Sequence, residues 1–364
     1  MKELIYKKTS LYKQHEKLNA KIVPFAGYLM PVNYDKGISS EYKSVRKSVG
    51  MFDVSHMGFI SIEGEKSSEF LNHITINNVC KISSGCAQYS VICNESGGCV
   101  DDVIIYKRDV SSYFLIVNAS NIIKDFEWLI EQNKYNVNIS NNSEKFSILA
   151  VQGPNSRQTL IDAFNVDIKN LEFYKFMICR LFSSEIIISR TGYTGELGYE
   201  ILADKETINK IWDALLNLNV APCGLGVRDI LRIEMKYCLY GHELNNTINP
   251  ISAGLNWVLD KDKSSFIGKG NIENEINFPS KRLICFKMID RGIPRENYLV
   301  YQGNTQIGYV SSGAFSIGLK LGIGLAFIDL KLKFGSLILI EIRGKLLNAE
   351  IVKPPFINNY SLHS

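Results

Sequence analysis

Apolar residues recur at helical spacing in three places along the chain. Ile208, Ile211, Trp212 and Leu215 follow an i, i+3, i+4, i+7 stripe, which predicts a helix with one buried face. Ile122, Ile123, Phe126, Leu129 and Ile130 repeat that spacing, with Ser120 as the expected N-cap. Phe70, Leu71 and Ile74 mark a shorter helix. Strand signals are as frequent. The runs 103–106 and 113–117 flank a charged turn and predict a hairpin, and 186–189 leads into a glycine-rich stretch. Beyond about Phe278 the helical stripes fade into short β-rich runs punctuated by glycine, at 283–288, 306–310, 324–328, 336–342 and 349–352. Those runs predict a separate all-β lobe over 276–364. Residues 1–275 read as mixed α+β, built from antiparallel hairpins and helices rather than repeated βαβ units.

Composition narrows the class. The 364 residues are 46% hydrophobic and 21% charged, the balance of a globular protein, which excludes disordered and collagen-like chains. The length allows two or three domains or one multi-lobed unit. A net charge of +4 is too slight to argue for nucleic acid. No run of about 18 apolar residues is present, so no membrane span is expected. The opening MKELIYKK lacks an apolar signal core and an Arg/Ser-rich leader, so the chain is expected to start here and to stay in the cytoplasm. Eight scattered cysteines without a CxxC pair read as free thiols, and with five dispersed histidines they give no zinc site. His56 and His242 each stand alone in a glycine-containing stretch and read as hydrogen-bonded structural histidines. Gly318–Gly324 has no following helix, and Gly224-Leu-Gly226 lacks the third glycine of a dinucleotide fingerprint. Neither a phosphate loop nor a GxSxG elbow occurs.

Four stretches crowd polar and glycine residues into apolar surroundings: 51–58, 94–103, 189–200 and 224–234. In the second, a Gly-Gly turn delivers Asp101 and Asp102 to the start of an apolar strand. Successive strand residues face opposite sides, so one aspartate points inward or into a cleft and the other does not. An inward carboxylate needs a partner, and a turn-capping role is the plain alternative. Glu200, between Tyr199 and Ile201, reads as a strand residue facing a pocket, and Arg228 opens a helix-like run. The two form either a structural ion pair or a ligand site. A carboxylate so placed accepts a pair of N–H donors, such as the amide–amidine edge of a pterin.

These motifs, taken in order, resemble the aminomethyltransferase family, the T-protein of the glycine cleavage system. The similarity runs from Leu11-Tyr12 and Val23–Tyr28 to Pro355-Phe356. It includes FDVSHMG at 52–58, GGxxDD at 97–102, VNASN at 117–121, VQGP at 151–154 and SRTGYTGExGYE at 189–200. GLGxRDxLRxE at 224–234, LYGHE at 239–243, FIGK at 266–269, RGIPR at 291–295 and SSGxFS at 311–316 complete it.

The resemblance implies a three-lobed cloverleaf around a central folate channel, with a barrel-like C-terminal lobe and two interleaved α+β lobes before it. It implies transfer of the one-carbon unit from the aminomethyl-lipoyl arm of an H-protein to tetrahydrofolate, yielding methylenetetrahydrofolate, ammonia and the dihydrolipoyl arm, in concert with P- and L-proteins. No metal, flavin or NAD is expected. By match to the family motifs, Asp101 is the catalytic carboxylate beside the reacting nitrogens, stabilising positive charge at the transferring carbon. Glu200 would bind the pterin edge and Arg228 would orient the folate. Tyr89, Asn118 and Tyr193 would line the channel, Met57 and Trp257 would form apolar and stacking walls, and Tyr360 would be a C-terminal contact. Cys86 and Cys99 would only pack. Two relatives of the same superfamily compete: a folate-dependent demethylase, which needs a flavoprotein partner, and a non-enzymatic folate-binding iron–sulfur assembly factor, whose KGCYxGQE-type motif is absent.

Overall fold

Each helical stripe becomes a helix laid on a sheet. A computed structural model describes residues 6–329 and 331–364. Residues 1–5, on which much of the leader reading rests, lie outside it. The 208–215 stripe sits in the helix Lys205–Asn217, whose first turn is closed by Asp204, its side chain accepting from the Thr207 N–H at 2.9 Å. All four stripe residues are buried against Leu149, Val151 and Tyr199. These belong to a six-stranded sheet in the order Phe176–Leu181, Ser184–Ser189, Gly198–Asp204, Phe146–Gln152, Gly50–Asp53, Ala221–Pro222.

A second sheet of five strands runs in the order Cys86–Cys93, Cys99–Lys107, Ser112–Val117, Gly58–Glu63, Asn138–Asn141. The expected hairpin is its centre, with Ile104 opposite Ile116. The helices Ser67–Ile74 and Ile122–Gln132 cover one face, burying Phe70, Leu71, Ile74 and Leu129. Ser120 is not the cap. A 3₁₀ turn at Ala119–Asn121 intervenes, and Asn121 precedes the helix with its amide drawn 2.6 Å onto Asp101. A three-stranded sheet of Lys7–Lys8, Tyr28–Asn33 and Lys21–Phe25 completes this part.

The all-β lobe is a closed six-stranded barrel in the order Arg282–Met288, Leu321–Ile328, Thr305–Ser316, Leu299–Gln302, Leu337–Ile342, Lys345–Val352. Phe286, Val310, Ala326, Ile340 and Ile351 fill it. The strand Leu299–Gln302 is too short for a pattern to show, and barrel closure requires it. All eight cysteines are free thiols. No helix of the described residues is long and apolar enough to cross a membrane.

One helix, Leu225–Glu234, joins the layers through buried charge. Arg232 meets the Glu243 carboxylate at 2.9 Å and Ser312 of the barrel at 2.6 Å. Glu234 takes Arg46 at 2.6 Å, the Tyr42 hydroxyl at 2.9 Å and Ser316 of the barrel at 2.6 Å. Arg46 turns its other nitrogen to Glu196 at 2.8 Å. Removing one member leaves its partners charged and unpaired in a dry site. Glu234→Ala should therefore cost about 3–5 kcal/mol, read as a lowered urea midpoint, whereas a surface control such as Glu185→Ala stays within about 1 kcal/mol.

Candidate active site

The sheets, the helix Leu225–Glu234 and the tail beyond the barrel enclose a cavity of about 1220 Å³. Gly97 and Gly98 place the two aspartates at its wall. Gly97 adopts a left-handed φ of +81°, and a Cβ on Gly98 would lie 1.9 Å from the Asn246 carbonyl oxygen, so the turn admits only glycine there. Strand parity then decides which aspartate faces the cavity. Val103 and Ile105 point into the core beneath the covering helices, and Asp101 shares their side. Asp102, Ile104 and Tyr106 point the other way and line the cavity. The expectation that Asp101 faces the cleft is thus corrected: it is fully buried behind the strand, and Asp102 is the cavity carboxylate.

Both aspartates are tied by Asn118, which follows the strand Ser112–Val117. Its side-chain amide reaches Asp101 at 2.9 Å and Asp102 at 2.8 Å, and its backbone N–H reaches Asp101 at 2.9 Å. Tyr89 donates its hydroxyl to Asp102 at 3.0 Å. Burial, then the neighbouring Asp101 charge, push the Asp102 carboxyl up to about 7 against the pull of these donors. The ring of Tyr89 stacks on Trp257 at 5.8 Å, and Trp257 is 69% exposed at the cavity wall.

Glu200, Tyr193 and Arg228 also meet here. Thr191 donates to one oxygen of Glu200, and the other has no partner among the described residues. Arg228 stacks its guanidinium 4.7 Å over the Tyr193 ring. Among the described residues it forms neither a hydrogen bond nor an ion pair, and its Nη1 is enclosed without an acceptor. The structural ion pair is therefore not what the fold builds: the cavity keeps an unpaired cation and a half-free carboxylate. Tyr193 is held by its hydroxyl on the Cys238 carbonyl. Met57 and Tyr360 line the cavity as well, the latter 37% exposed on the tail.

His56 is not the hydrogen-bonded structural histidine that its setting in the sequence predicts. It is buried at the cavity wall, edge-on to Phe25, and its Nδ1 has no partner among the described residues. Burial, helped by Arg228, holds its imidazole down at about 4 against Asp53, so it is neutral at pH 7. Its place in FDVSHMG was the available signal. His242 does bond, through Nδ1 to the Ser311 carbonyl at 3.1 Å. Tyr106 and Tyr174, also in the wall, carried no signal in sequence.

Residues 11–263 match the family model of the GCVT N-terminal domain, and 281–358 match that of the glycine cleavage T-protein C-terminal barrel domain. The chain belongs to the aminomethyltransferase family of the glycine cleavage system. Two curated aminomethyltransferases illustrate the relation. That of Thermosipho melanesiensis is 46% identical over 353 residues, 96% of this chain and 97% of the relative. That of Halothermothrix orenii is 41% identical over 357 residues, 96% of this chain and all of the relative. The crystal structure of glycine cleavage system aminomethyltransferase T from Bartonella henselae superposes with a TM-score of 0.93 at 29% identity, covering 98% of this chain and 99% of that one. The chain is thus a one-carbon group transferase, built on the fold the sequence resemblance implied.

The raised Asp102 has a thermodynamic signature. Its folded carboxyl titrates near 7 and its unfolded one near the ordinary 3.8. Between those values the folded state binds more protons, so this group's contribution to stability falls as pH rises through the window. Asp102→Asn removes that loss. Thermal unfolding should show the variant more stable than the parent at pH 8, with the advantage shrinking towards pH 4. A constant offset across that range would contradict the assignment.

Proposed function

We propose that the cavity binds tetrahydrofolate, and that the chain passes to it the one-carbon unit of an aminomethyl group carried on the lipoyl arm of an H-protein. Ammonia and the dihydrolipoyl arm are released. The single observation that carries this reading is the unpaired Arg228 guanidinium beside the half-free Glu200 in an aromatic-walled cavity of this family's fold. An enclosed cation without an acceptor is costly unless a ligand supplies one. The residues fit a folate. Glu200 accepts from the N–H edge of a pterin, Arg228 donates to its acceptors, and Tyr193, Tyr89 and Trp257 offer ring faces. Met57 and Tyr360 close the apolar and tail sides. In this reading residues 1–275 form the folate-binding region and 276–364 the barrel lobe.

Tetrahydrofolate supplies the nitrogens that receive the carbon; the protein supplies orientation and charge. Asp102 stands where Asn118 and Tyr89 fix its carboxyl. Ionised, it favours positive charge at the transferring carbon over the neutral ground state, which is differential stabilisation. Neutral His56 adds a hydrogen-bonding ring without adding charge. No metal, flavin or nicotinamide is required in this scheme. The partner is a lipoylated H-protein acting with P- and L-proteins, and the site of action is the cytoplasm.

Glu200→Ala should weaken tetrahydrofolate by about 2–3 kcal/mol in calorimetry, the range for lost charge-assisted bonds. Unchanged affinity would remove the pterin assignment. Asp102→Asn should lower kcat about 10²-fold in tetrahydrofolate-dependent ammonia release from aminomethylated H-protein, with KM nearly held. In the parent, kcat should fall on the acid side of about 7 as Asp102 takes its proton. A flat profile from pH 5 to 8 would contradict that role. Activity should survive exhaustive dialysis against a chelator.

A further inference from the structure

The helix Ile122–Gln132 turns Asp125 toward the sheet, where it is fully buried. Neither of its carboxyl oxygens meets an N–H or O–H donor of the described residues. The Lys124 ammonium stays 3.8 Å away, engaged with the Val100 carbonyl and the Tyr240 hydroxyl. Asp125 lies one helical turn beyond Asn121, whose amide reaches Asp101 at 2.6 Å, so the same helix face turns Asp125 toward the buried Asp101 carboxyl. Burial first, then the Asp101 charge and a shared hydrogen bond, raise the Asp125 carboxyl. Two carboxylates turned toward each other in a dry interior do not both ionise, so the pair holds one proton.

The hydrogen-bond inventory says which carboxyl owns that proton. Asp101 receives the Asn118 backbone N–H at 2.9 Å, the Asn118 amide at 2.9 Å and the Asn121 amide at 2.6 Å. Three donors are the complement of an acceptor-only group. Asp125 receives none, and a protonated carboxyl needs only an acceptor, which Asp101 is.

We infer that Asp125 is a positioning residue of the transfer site: it stays neutral, donates its O–H to Asp101, and clamps the two-aspartate strand from behind. The bond continues through Asn118, whose amide holds Asp101 and Asp102 together, so the clamp fixes the carboxylate that faces the cavity. The charged groups facing Asp125 are Asp101 and Asp102 across the sheet and Lys124 on its own helix. Burial and the Asp101 charge outweigh Lys124 and push the Asp125 carboxyl up to about 11. The role in turnover rests on the reading of Asp102 given above; the position of the proton does not.

Asp125→Asn tests both. The amide is neutral, nearly isosteric, and keeps an N–H donor toward Asp101. If Asp125 is neutral in the parent, no charge changes, and the acid limb of kcat stays within about 0.3 pH unit. If Asp125 is ionised, the substitution deletes a negative charge beside Asp101 and Asp102, and the limb falls by about one unit or more, which overturns the inference. Asp125→Leu removes the donor and should lower kcat about tenfold with KM for tetrahydrofolate within about twofold, a loss that Asp125→Asn rescues. Infrared difference spectroscopy of the full chain at pH 9, where Asp102 is ionised, reads the proton without turnover. A buried protonated carboxyl band is expected in the parent and is lost in Asp125→Asn. Its absence in the parent overturns the inference. Failure of the parent to bind tetrahydrofolate, with the band present, would sink the cavity's assignment instead.

Discussion

Arg232 and Glu234, two buried charges on one helix, hold the barrel in register on the region before it. They sit two residues apart, so they leave the helix in different directions and cannot satisfy each other. Arg232 reaches Glu243 and the barrel's Ser312; Glu234 reaches Arg46, Tyr42 and the barrel's Ser316. Hydrophobic contact could dock a barrel on a helix in many registers. Charges that are expensive unless every partner is present admit one, because a slipped register leaves them unpaired in a dry site. The same helix then presents Arg228, one turn earlier, to the cavity in a fixed direction.

The cavity uses charge in the opposite way. Where the scaffold pairs Arg46, Glu196, Glu234, Arg232 and Glu243, the wall leaves Arg228 unpaired and Glu200 half-satisfied among the described residues, and Asp102 with a carboxyl that burial pushes up to about 7. Unpaired groups of this kind in a concave wall mark a site for a ligand of complementary pattern. Supporting groups keep these side chains in place: Thr191 on Glu200, the Tyr193 ring under Arg228, Asn118 between the aspartates. The cavity side chains are thus held by one another and by Thr191, which stands outside the lining.

Periodicity alone determined the helix at Lys205–Asn217, the hairpin at the centre of the five-stranded sheet and the all-β character of the C-terminal lobe. These rest on local pattern, and their buried faces satisfied it. The ordered motifs, by resemblance, determined the family and grouped Tyr89, Asn118, Tyr193, Glu200, Arg228, Met57, Trp257 and Tyr360, and all eight line one cavity. The short strand Leu299–Gln302 was hidden because four residues carry no period. Only the tertiary structure decided which aspartate faces the cavity. Alternation says that Asp101 and Asp102 diverge, but not which face of the sheet the helices cover. That choice belongs to the packing of Val103 and Ile105 under Phe70, Leu71 and Leu129, residues distant in sequence. The same packing turned the helix that carries Asn121 and Asp125 onto Asp101, 20 and 24 residues earlier in the chain, which no local pattern encodes.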